Sequence, residues 1–504
     1  MGLDPKAGAM RPISPRRALG LLVAAVALAG SGCQRTQEGT YDVIVIGNQP
    51  RLVDSAAAVP TAADQVLLAN AAQGLVRFDS NGQIEPGLAE RWNVSNDGLS
   101  YIFRLANGEW QGGGRITAQQ VARLLRNQLA PASRNSLKDT LGVIDEIVAM
   151  TDRVLEIRLR APRSNLLQLL AQPDLALVRS GHGSGPFEPK ANEDDRGGIR
   201  LTRRIMGTDE EEVRREEVVL NGQPAASAIN AFIDGGTDLV LGGTFADLPL
   251  VRKSGLPRRA LQFDPVAGLF GLVPAKAGGP LYEPEVRRLL ARAIDRDALL
   301  AAFGVPGLLP RATLLEVGLD GLADPAAPPW MAIPIGDRRP DLILEADRLF
   351  GSDDRPTLRI LLPEGPGADL LLRRLSTDWG LLGLKVERAP SARSADLILI
   401  DEVAPSRSPA WFLRRFRCAV TAVCDNEVDE LLGGARETLI PAQRNALLAE
   451  AAQRIDELQL FLPIAAPIRW SLVGSRVEGF AGNRFGRHTL TELGEKPSRE
   501  GADQ

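Results

Sequence analysis

Short apolar runs alternate with amphipathic helical segments along most of the chain, and this alternation is the strongest constraint on its fold. Residues 41–46 (YDVIVI) predict a buried strand, and the alternating apolar side chains of residues 99–105 predict a half-buried one. Residues 121–129 and 286–294 carry apolar side chains at helical spacing. Such alternation is typical of α/β proteins. Because 504 residues are too many for one simple core, we expect two or three lobes.

The charge balance argues against a nucleic-acid partner. Lysine and arginine number 59, and aspartate and glutamate number 63, which gives a formal net charge of −4. Nucleic-acid-binding proteins usually show a basic excess or stripe. The arginines here are interleaved with acids, a pattern that indicates a solvated surface of mixed charge.

The N-terminal segment has the layout of an export signal. Arg11, Arg16 and Arg17 precede an apolar run over residues 18–30, and small residues lead to Cys33. The run is too short to span a bilayer comfortably. A cysteine in this place resembles a lipobox, in which the thiol is acylated and becomes the new N-terminus. We therefore predict residues 1–33 as the signal and Cys33 as the lipid anchor.

Two alternatives to this interpretation stay open. Lipoboxes usually carry Leu where Gly30 stands, so an ordinary cleaved signal with an unrelated cysteine is one alternative. Met10 as the true initiator is the other. Residues 34–40 are polar and predict a tether, and residues 491–504 predict a flexible tail. Gln34 gives no argument for retention at the inner membrane.

The remaining cysteines form an even pair if Cys33 is lipidated. We predict a disulfide between Cys418 and Cys424, with two buried free thiols as the alternative. Their spacing is not that of a metal site, and the two histidines, His182 and His488, form no metal cluster. We expect neither metal nor cofactor.

Several segments, in this order along the chain, resemble one known family. They are 52–55 (LVDS), 74–92, 94–105 (VSNDGLSYIFRL), 107–108 (NG), 116–121 (ITAQQV), 183–187 (GSGPF), 234–239 (DGGTDL) and 286–296 (VRRLLARAIDR). Each segment alone is weakly specific, but the ordered set is similar to extracellular solute-binding family 5. This family comprises the oligopeptide-, dipeptide- and nickel-binding lipoproteins of bacterial ABC transporters.

The resemblance implies an α/β fold like that of type II periplasmic binding proteins, a bilobal clamp with a third lobe as in cluster C. Lobe I would consist of three separate segments of the chain. Lobe II would lie between the first and second of these segments, and lobe III between the second and third. The expected ranges are 41–80, 173–262 and 471–490 for lobe I, 81–172 for lobe II, and 263–470 for lobe III. The expected partners are a peptide or other small solute and the subunits of an ABC permease. We expect a monomer, anchored by its lipid on the periplasmic side of the envelope.

Family members that bind peptides hold the ligand's α-ammonium with an aspartate in a stretch that matches residues 401–412. Pro405 and Ser408 occupy the places of the family's acids here. Nearby side chains could substitute, so the predicted ligand-binding residues are Asp401, Glu402, Arg407 and Trp411. Arg407 would favour an anionic group, and an exposed loop cation is the alternative. The choice of ligand stays open.

The missing acids also motivate a second hypothesis, an envelope scaffold that keeps the fold without transport. Enzyme hypotheses find little support. Residues 182–185 (HGSG) lack the first glycine of a nucleophile elbow, and we find neither a phosphate loop with lysine nor an H-E-x-x-H motif. We predict no catalytic residues. The charged residues 186–223 and the Pro- and Gly-rich residues 320–340 predict loops.

Overall fold

The computed structural model describes residues 1–2, 39–194, 197–206, 213–351 and 355–494. The compact unit that carries the fold begins at Tyr41. Cys33 and most of the predicted signal and tether lie outside the described residues, as does the predicted tail beyond residue 494.

Strands are numbered in chain order. They are β1 (Thr40–Ile46), β2 (Val76–Phe78), β3 (Ile84–Pro86), β4 (Ala89–Val94), β5 (Ser100–Leu105), β6 (Ile144–Ala149), β7 (Val154–Leu159), β8 (Glu188–Ala191), β9 (Ile199–Met206), β10 (Val213–Gln223), β11 (Leu239–Thr244), β12 (Leu261–Phe263), β13 (Gly268–Pro274), β14 (Thr357–Leu361), β15 (Lys385–Arg388), β16 (Leu397–Val403), β17 (Leu462–Ala465) and β18 (Arg469–Val473).

The α-helices are numbered in the same way. They are α1 (Ala62–Ala71), α2 (Ala118–Leu129), α3 (Leu166–Leu170), α4 (Ala225–Ile233), α5 (Leu248–Lys253), α6 (Pro284–Ala293), α7 (Arg296–Phe303), α8 (Ile335–Phe350), α9 (Pro366–Gly380), α10 (Pro409–Leu413), α11 (Asn426–Glu437) and α12 (Pro441–Glu457).

The first sheet has seven strands in the order β12-β18-β11-β1-β10-β9-β8, so it is assembled from distant parts of the chain. Residues 43–45 of β1 pair in parallel with residues 239–241 of β11 and are fully or almost fully buried. Continuous apolar side chains suit a strand that is covered on both faces. The predicted strand at residues 41–46 is therefore confirmed.

The second sheet is antiparallel, in the order β4-β5-β7-β6, and with α2 it forms what we call the four-stranded unit. Tyr101 and Phe103 point from β5 into a core of its own. The turn before β5 needs Gly98, whose φ is 68°, and the Asp97 carboxylate accepts the N–H of Leu99 at 3.0 Å. This predicted half-buried strand is also confirmed.

The third sheet has five strands in the order β15-β14-β16-β13-β17. One hydrophobic cluster joins it to the first sheet and includes Val240 of β11, Phe270 of β13 and Trp379 of α9. The four-stranded unit is filled by a different cluster. The first and third sheets therefore share a core. The four-stranded unit faces helices α10 to α12 but shares no hydrophobic core with them.

Two predicted loops are wrong in part. Residues 188–223 contain β8, β9 and β10, because charged side chains are paired across the strands: Arg203 lies opposite Glu216, with Nε to Oε2 at 2.7 Å. Within residues 320–340 the loop ends early, since α8 begins at Ile335 and holds Pro340 inside it. In both places the local composition is typical of a loop, although the segment forms a strand or a helix in the folded protein.

The family-like segment at residues 286–296 is structural. Asp295 caps α7 by accepting the N–H of Ala298 at 3.0 Å. Arg287 of α6 is only 2% exposed, and its guanidinium donates to main-chain carbonyls.

Candidate functional site

A cavity of about 810 Å³ lies between the four-stranded unit and helices α10 to α12. One wall is built from residues 129–169, chiefly the loop after α2 and the start of α3. The other wall is built from residues 408–448. The two walls are therefore far apart in the chain and meet only through the fold.

The first wall is held in place by Asn135, which is 2% exposed. Its amide nitrogen donates to Gln128 Oε1 at 2.5 Å and to the Asp174 carbonyl at 2.7 Å, and its oxygen accepts the N–H of Leu137 at 2.8 Å. A buried amide with several partners fixes a loop more firmly than surface contacts do. The wall is thus preformed.

Cations dominate the lining of this cavity, which we call the arginine cleft. Its described lining residues include seven basic side chains against two acidic ones, Asp139 and Glu437. The basic residues are Lys138, Arg160, Arg163, Arg414, Arg417, Arg436 and Arg444. Both walls contribute to the set.

Where the cations of this set form hydrogen bonds, the acceptor oxygens carry no charge. Arg444 Nη1 donates to the Pro162 carbonyl at 3.0 Å, Arg414 Nη1 contacts the Thr140 hydroxyl, and Lys138 Nζ donates to two carbonyls of its own loop. Within the described part of the chain, none of the seven forms an ion pair with a carboxylate. Arginines elsewhere commonly do, as Arg292 does with Glu345.

Arg163 is partly buried. Its Nε is buried and has no hydrogen-bond partner among the described residues. Burial, together with the nearby charges of Arg444 and Arg436, lowers its pKa to about 10. Burial also lowers the pKa of Arg414, which the charges of Glu402 and Asp139 oppose. A guanidinium with so small a shift stays charged at neutral pH.

Of the four predicted ligand-binding residues, Trp411 alone is among the lining residues described for the arginine cleft. Its indole is 4% exposed and packs edge-on against Phe412 at a centroid distance of 5.0 Å. The Arg414 guanidinium carbon lies 5.8 Å from the same indole. Trp411 therefore supports the wall that carries Arg414.

The other three predicted residues have partners away from the cleft. The Asp401 carboxylate lies 2.8 Å from Arg469 Nη1, and burial raises its pKa while Arg469 lowers it. Glu402 pairs with Arg415 at 2.6 Å. Arg407 donates to the Gly318 carbonyl at 3.0 Å. Their contact with a ligand stays a prediction.

Pro405, one of the two positions where the family resemblance leads us to expect an acid, is buried. Its carbonyl accepts a hydrogen bond at 2.9 Å from Nε2 of Gln172, a residue that is 2% exposed. Gln172 Oε1 accepts from Arg487 Nε at 3.1 Å. The chain therefore has a neutral carbonyl at this position, and that carbonyl is already bonded to Gln172.

The structure joins Cys418 and Cys424 by an S–S bond of 2.10 Å. It lies in the segment that follows α10 and precedes α11. No group of three potential ligands for a metal ion is found within residues 39–194, 197–206, 213–351 and 355–494. None of the helices in those ranges combines the length and the apolarity needed to cross a membrane.

Sequence analysis missed the arginine cleft. Its cations are spread from residue 138 to residue 444, and arginines were interpreted as a solvated mixed-charge surface. One local signal was available: residues 403–424 contain Arg407, Arg414, Arg415 and Arg417 and no acid. That signal could not show which of these cations face a cavity.

Solved structures show which class of protein the fold defines. The murein tripeptide-binding protein MppA of Escherichia coli superposes with a TM-score of 0.74 at 18% identity, covering 90% of this chain and 98% of that one. Haemophilus influenzae OppA in complex with RPPGFSPFR has a TM-score of 0.74 at 15% identity, with coverage of 90% and 98%. The fold is therefore that of a type II periplasmic binding protein.

The family follows from the sequence comparison. The model described as bacterial extracellular solute-binding proteins, family 5 Middle, matches residues 83–341, and the chain belongs to this family. A relative named probable di/tripeptide-binding protein 5, from Pseudomonas aeruginosa, is 25% identical over 497 residues, which cover 84% of this chain and 89% of that protein. The protein is a periplasmic substrate-binding component of an ABC-type importer, as the family resemblance implied.

Proposed function

We propose that the arginine cleft is the place where this protein captures a peptide-like solute for delivery to its permease. The observation that carries the proposal is the cavity of about 810 Å³ with walls from two separately packed parts of the fold. Ligand sites commonly have volumes of roughly 300–1,000 Å³ and lie between domains. The name of the Pseudomonas relative supports a peptide-like ligand.

The three larger sheets support the lobe ranges expected from the resemblance, with lobe I around the seven-stranded sheet, lobe II around the four-stranded unit and lobe III around the five-stranded sheet. The two walls of the cleft have separate hydrophobic cores, one in the four-stranded unit and one around helices α10 to α12. Parts of a fold that share no core can move relative to each other. Capture then favours the closed arrangement by its difference in affinity between the two states.

Capture is tested by calorimetry and thermal denaturation with di- and tripeptides. A ligand at a hundred times its Kd stabilises the folded state by about 2.7 kcal/mol. Ala410→Trp, which fills the lining of the cleft, should abolish the effect, whereas Ala302→Trp on the exposed surface of α7 should not. Binding that is unchanged in Ala410→Trp would place the site elsewhere.

The membrane attachment is part of the same proposal. Residues 1–33 act as the export signal, and acylated Cys33 holds a monomer at the membrane through the tether, since two or three acyl chains anchor stably. Cys33→Ser should move the protein from the membrane fraction to the soluble fraction of the envelope. An unchanged distribution would favour an unlipidated protein.

A second candidate function is an envelope scaffold. Pro405, bonded to Gln172 where an acid would hold a peptide's ammonium, is the observation that favours it. In-cell cross-linking separates the two candidates: a permease partner supports capture and delivery, and an assembly or outer-membrane partner supports the scaffold.

A further inference from the structure

The charge of the arginine cleft constrains what can enter it. The two walls present cations to each other, with Arg163 on one wall and Arg444 and Arg436 on the other, close enough for their charges to lower the pKa of Arg163. Closing the cleft on solvent alone would bring like charges together and remove water from them, and both effects are unfavourable. A ligand that carries negative charge offsets the repulsion between the cations and takes the place of the water that they lose.

The guanidinium groups also have hydrogen-bonding capacity to spare. Arg163 Nε is buried without a partner, and Arg436 has none within the described residues. Arg444 and Arg414 each use one Nη on a neutral oxygen. A guanidinium presents a planar fork of donors that matches a carboxylate or phosphate in pairs. Guanidinium groups that line one cavity and have donors to spare therefore favour an oxyanion as its occupant.

The two acids of the lining do not neutralise the set. Asp139 and Glu437 are exposed, and neither forms an ion pair with any of the seven cations in the described part of the chain. They leave an excess of positive charge in the cleft. A basic or zwitterionic ligand with an unpaired ammonium would meet that excess without a buried carboxylate to hold it.

We propose that the solute captured in the arginine cleft is a multiply charged anion of the carboxylate class, with an acidic peptide as its peptide-like form. This inference rests on the proposed function and names its substrate class. The ligand bridges the two walls, and each wall supplies guanidinium groups to it. Binding and closure are then driven by the same neutralisation of charge.

Calorimetry with triglutamate, trialanine and trilysine tests the inference. Triglutamate should bind at least 10-fold more tightly than trialanine, and its affinity should fall as salt is added. Citrate and inorganic phosphate are two further arms: citrate binding alone supports the carboxylate class without a peptide backbone, and phosphate binding alone overturns it. Preference for trialanine or trilysine overturns the inference and leaves solute capture intact. Binding of no probe overturns both.

Variants locate the effect. Arg444→Gln should weaken triglutamate binding about 10- to 100-fold, the loss expected for a charged hydrogen bond. Arg454→Gln is the matched control, because Arg454 lies on the same helix but pairs with Asp425 and Glu427. Arg436→Gln, at an exposed position, keeps the test valid if a variant at Arg444 does not fold. Equal effects of Arg444→Gln and Arg454→Gln would overturn the assignment.

Discussion

Arg287→Met should be among the most destabilising single changes in this protein. The guanidinium, 2% exposed, donates to four carbonyl oxygens in two connecting segments, at residues 281–282 and 458–459, over distances of 2.6 to 3.1 Å. Burial lowers its pKa to about 10, so it is charged at neutral pH.

The size of the loss follows from the four buried carbonyl oxygens that methionine leaves without a donor. Each buried carbonyl that loses its donor costs about 1–3 kcal/mol, and part of the sum is recovered because the charge is no longer buried. We expect a loss of about 3–5 kcal/mol in the free energy of unfolding. Arg288→Met is the matched control, since the Arg288 side chain is 41% exposed and its pair with Glu285 is worth about 1 kcal/mol or less.

Urea denaturation followed by intrinsic fluorescence measures both variants. Because a chain with several cores can unfold in steps, the transition that reports the shared core around Trp379 is the one to compare. A change in stability for Arg287→Met within 1 kcal/mol of that for Arg288→Met would refute the reasoning.

Three more predictions concern pH, the disulfide and an ion pair. Burial raises the pKa of Asp456 to about 7, so the contribution of this carboxyl to stability is present below about pH 4 and is lost as the pH rises to about 7. Asp456→Asn should remove this pH dependence, so the variant should lose less stability than the natural protein between unfolding curves at pH 5 and pH 8. Reducing the Cys418–Cys424 disulfide should cost about 2 kcal/mol because the loop is short, and an unchanged urea midpoint after verified reduction would contradict this. Asp401→Ala removes the carboxylate partner of the partly buried Arg469 and should cost about 1.5–3 kcal/mol, against about 1 kcal/mol or less for Glu402→Ala; equal losses in the melting curves would contradict this difference.

Local sequence patterns predicted those elements in which burial follows a regular repeat along the chain. The buried run of β1 and the alternation of β5 were evident because each strand keeps one relation to its core. The strands of residues 188–223 were missed because their charges are satisfied by partners on the neighbouring strand. Such a pairing has no signature within a single segment.

The candidate site shows the same division. Trp411 was named from the family-like stretch and lines the cleft, but Asp401 and Glu402 on the adjacent strand are engaged by Arg469 and Arg415. An acid near the expected position in sequence need not face the cavity, because tertiary contacts decide which partner its carboxylate meets.

By itself the sequence determined the class of fold, the family and the buried core segments, because periodicity and ordered motifs are properties of neighbouring residues. Tertiary structure alone decided which side chains line the candidate cavity. The cations of the arginine cleft come from segments about 300 residues apart, and their lack of carboxylate partners is a property of three-dimensional proximity. The net charge of the whole chain, −4, gives no indication of this local excess of positive charge.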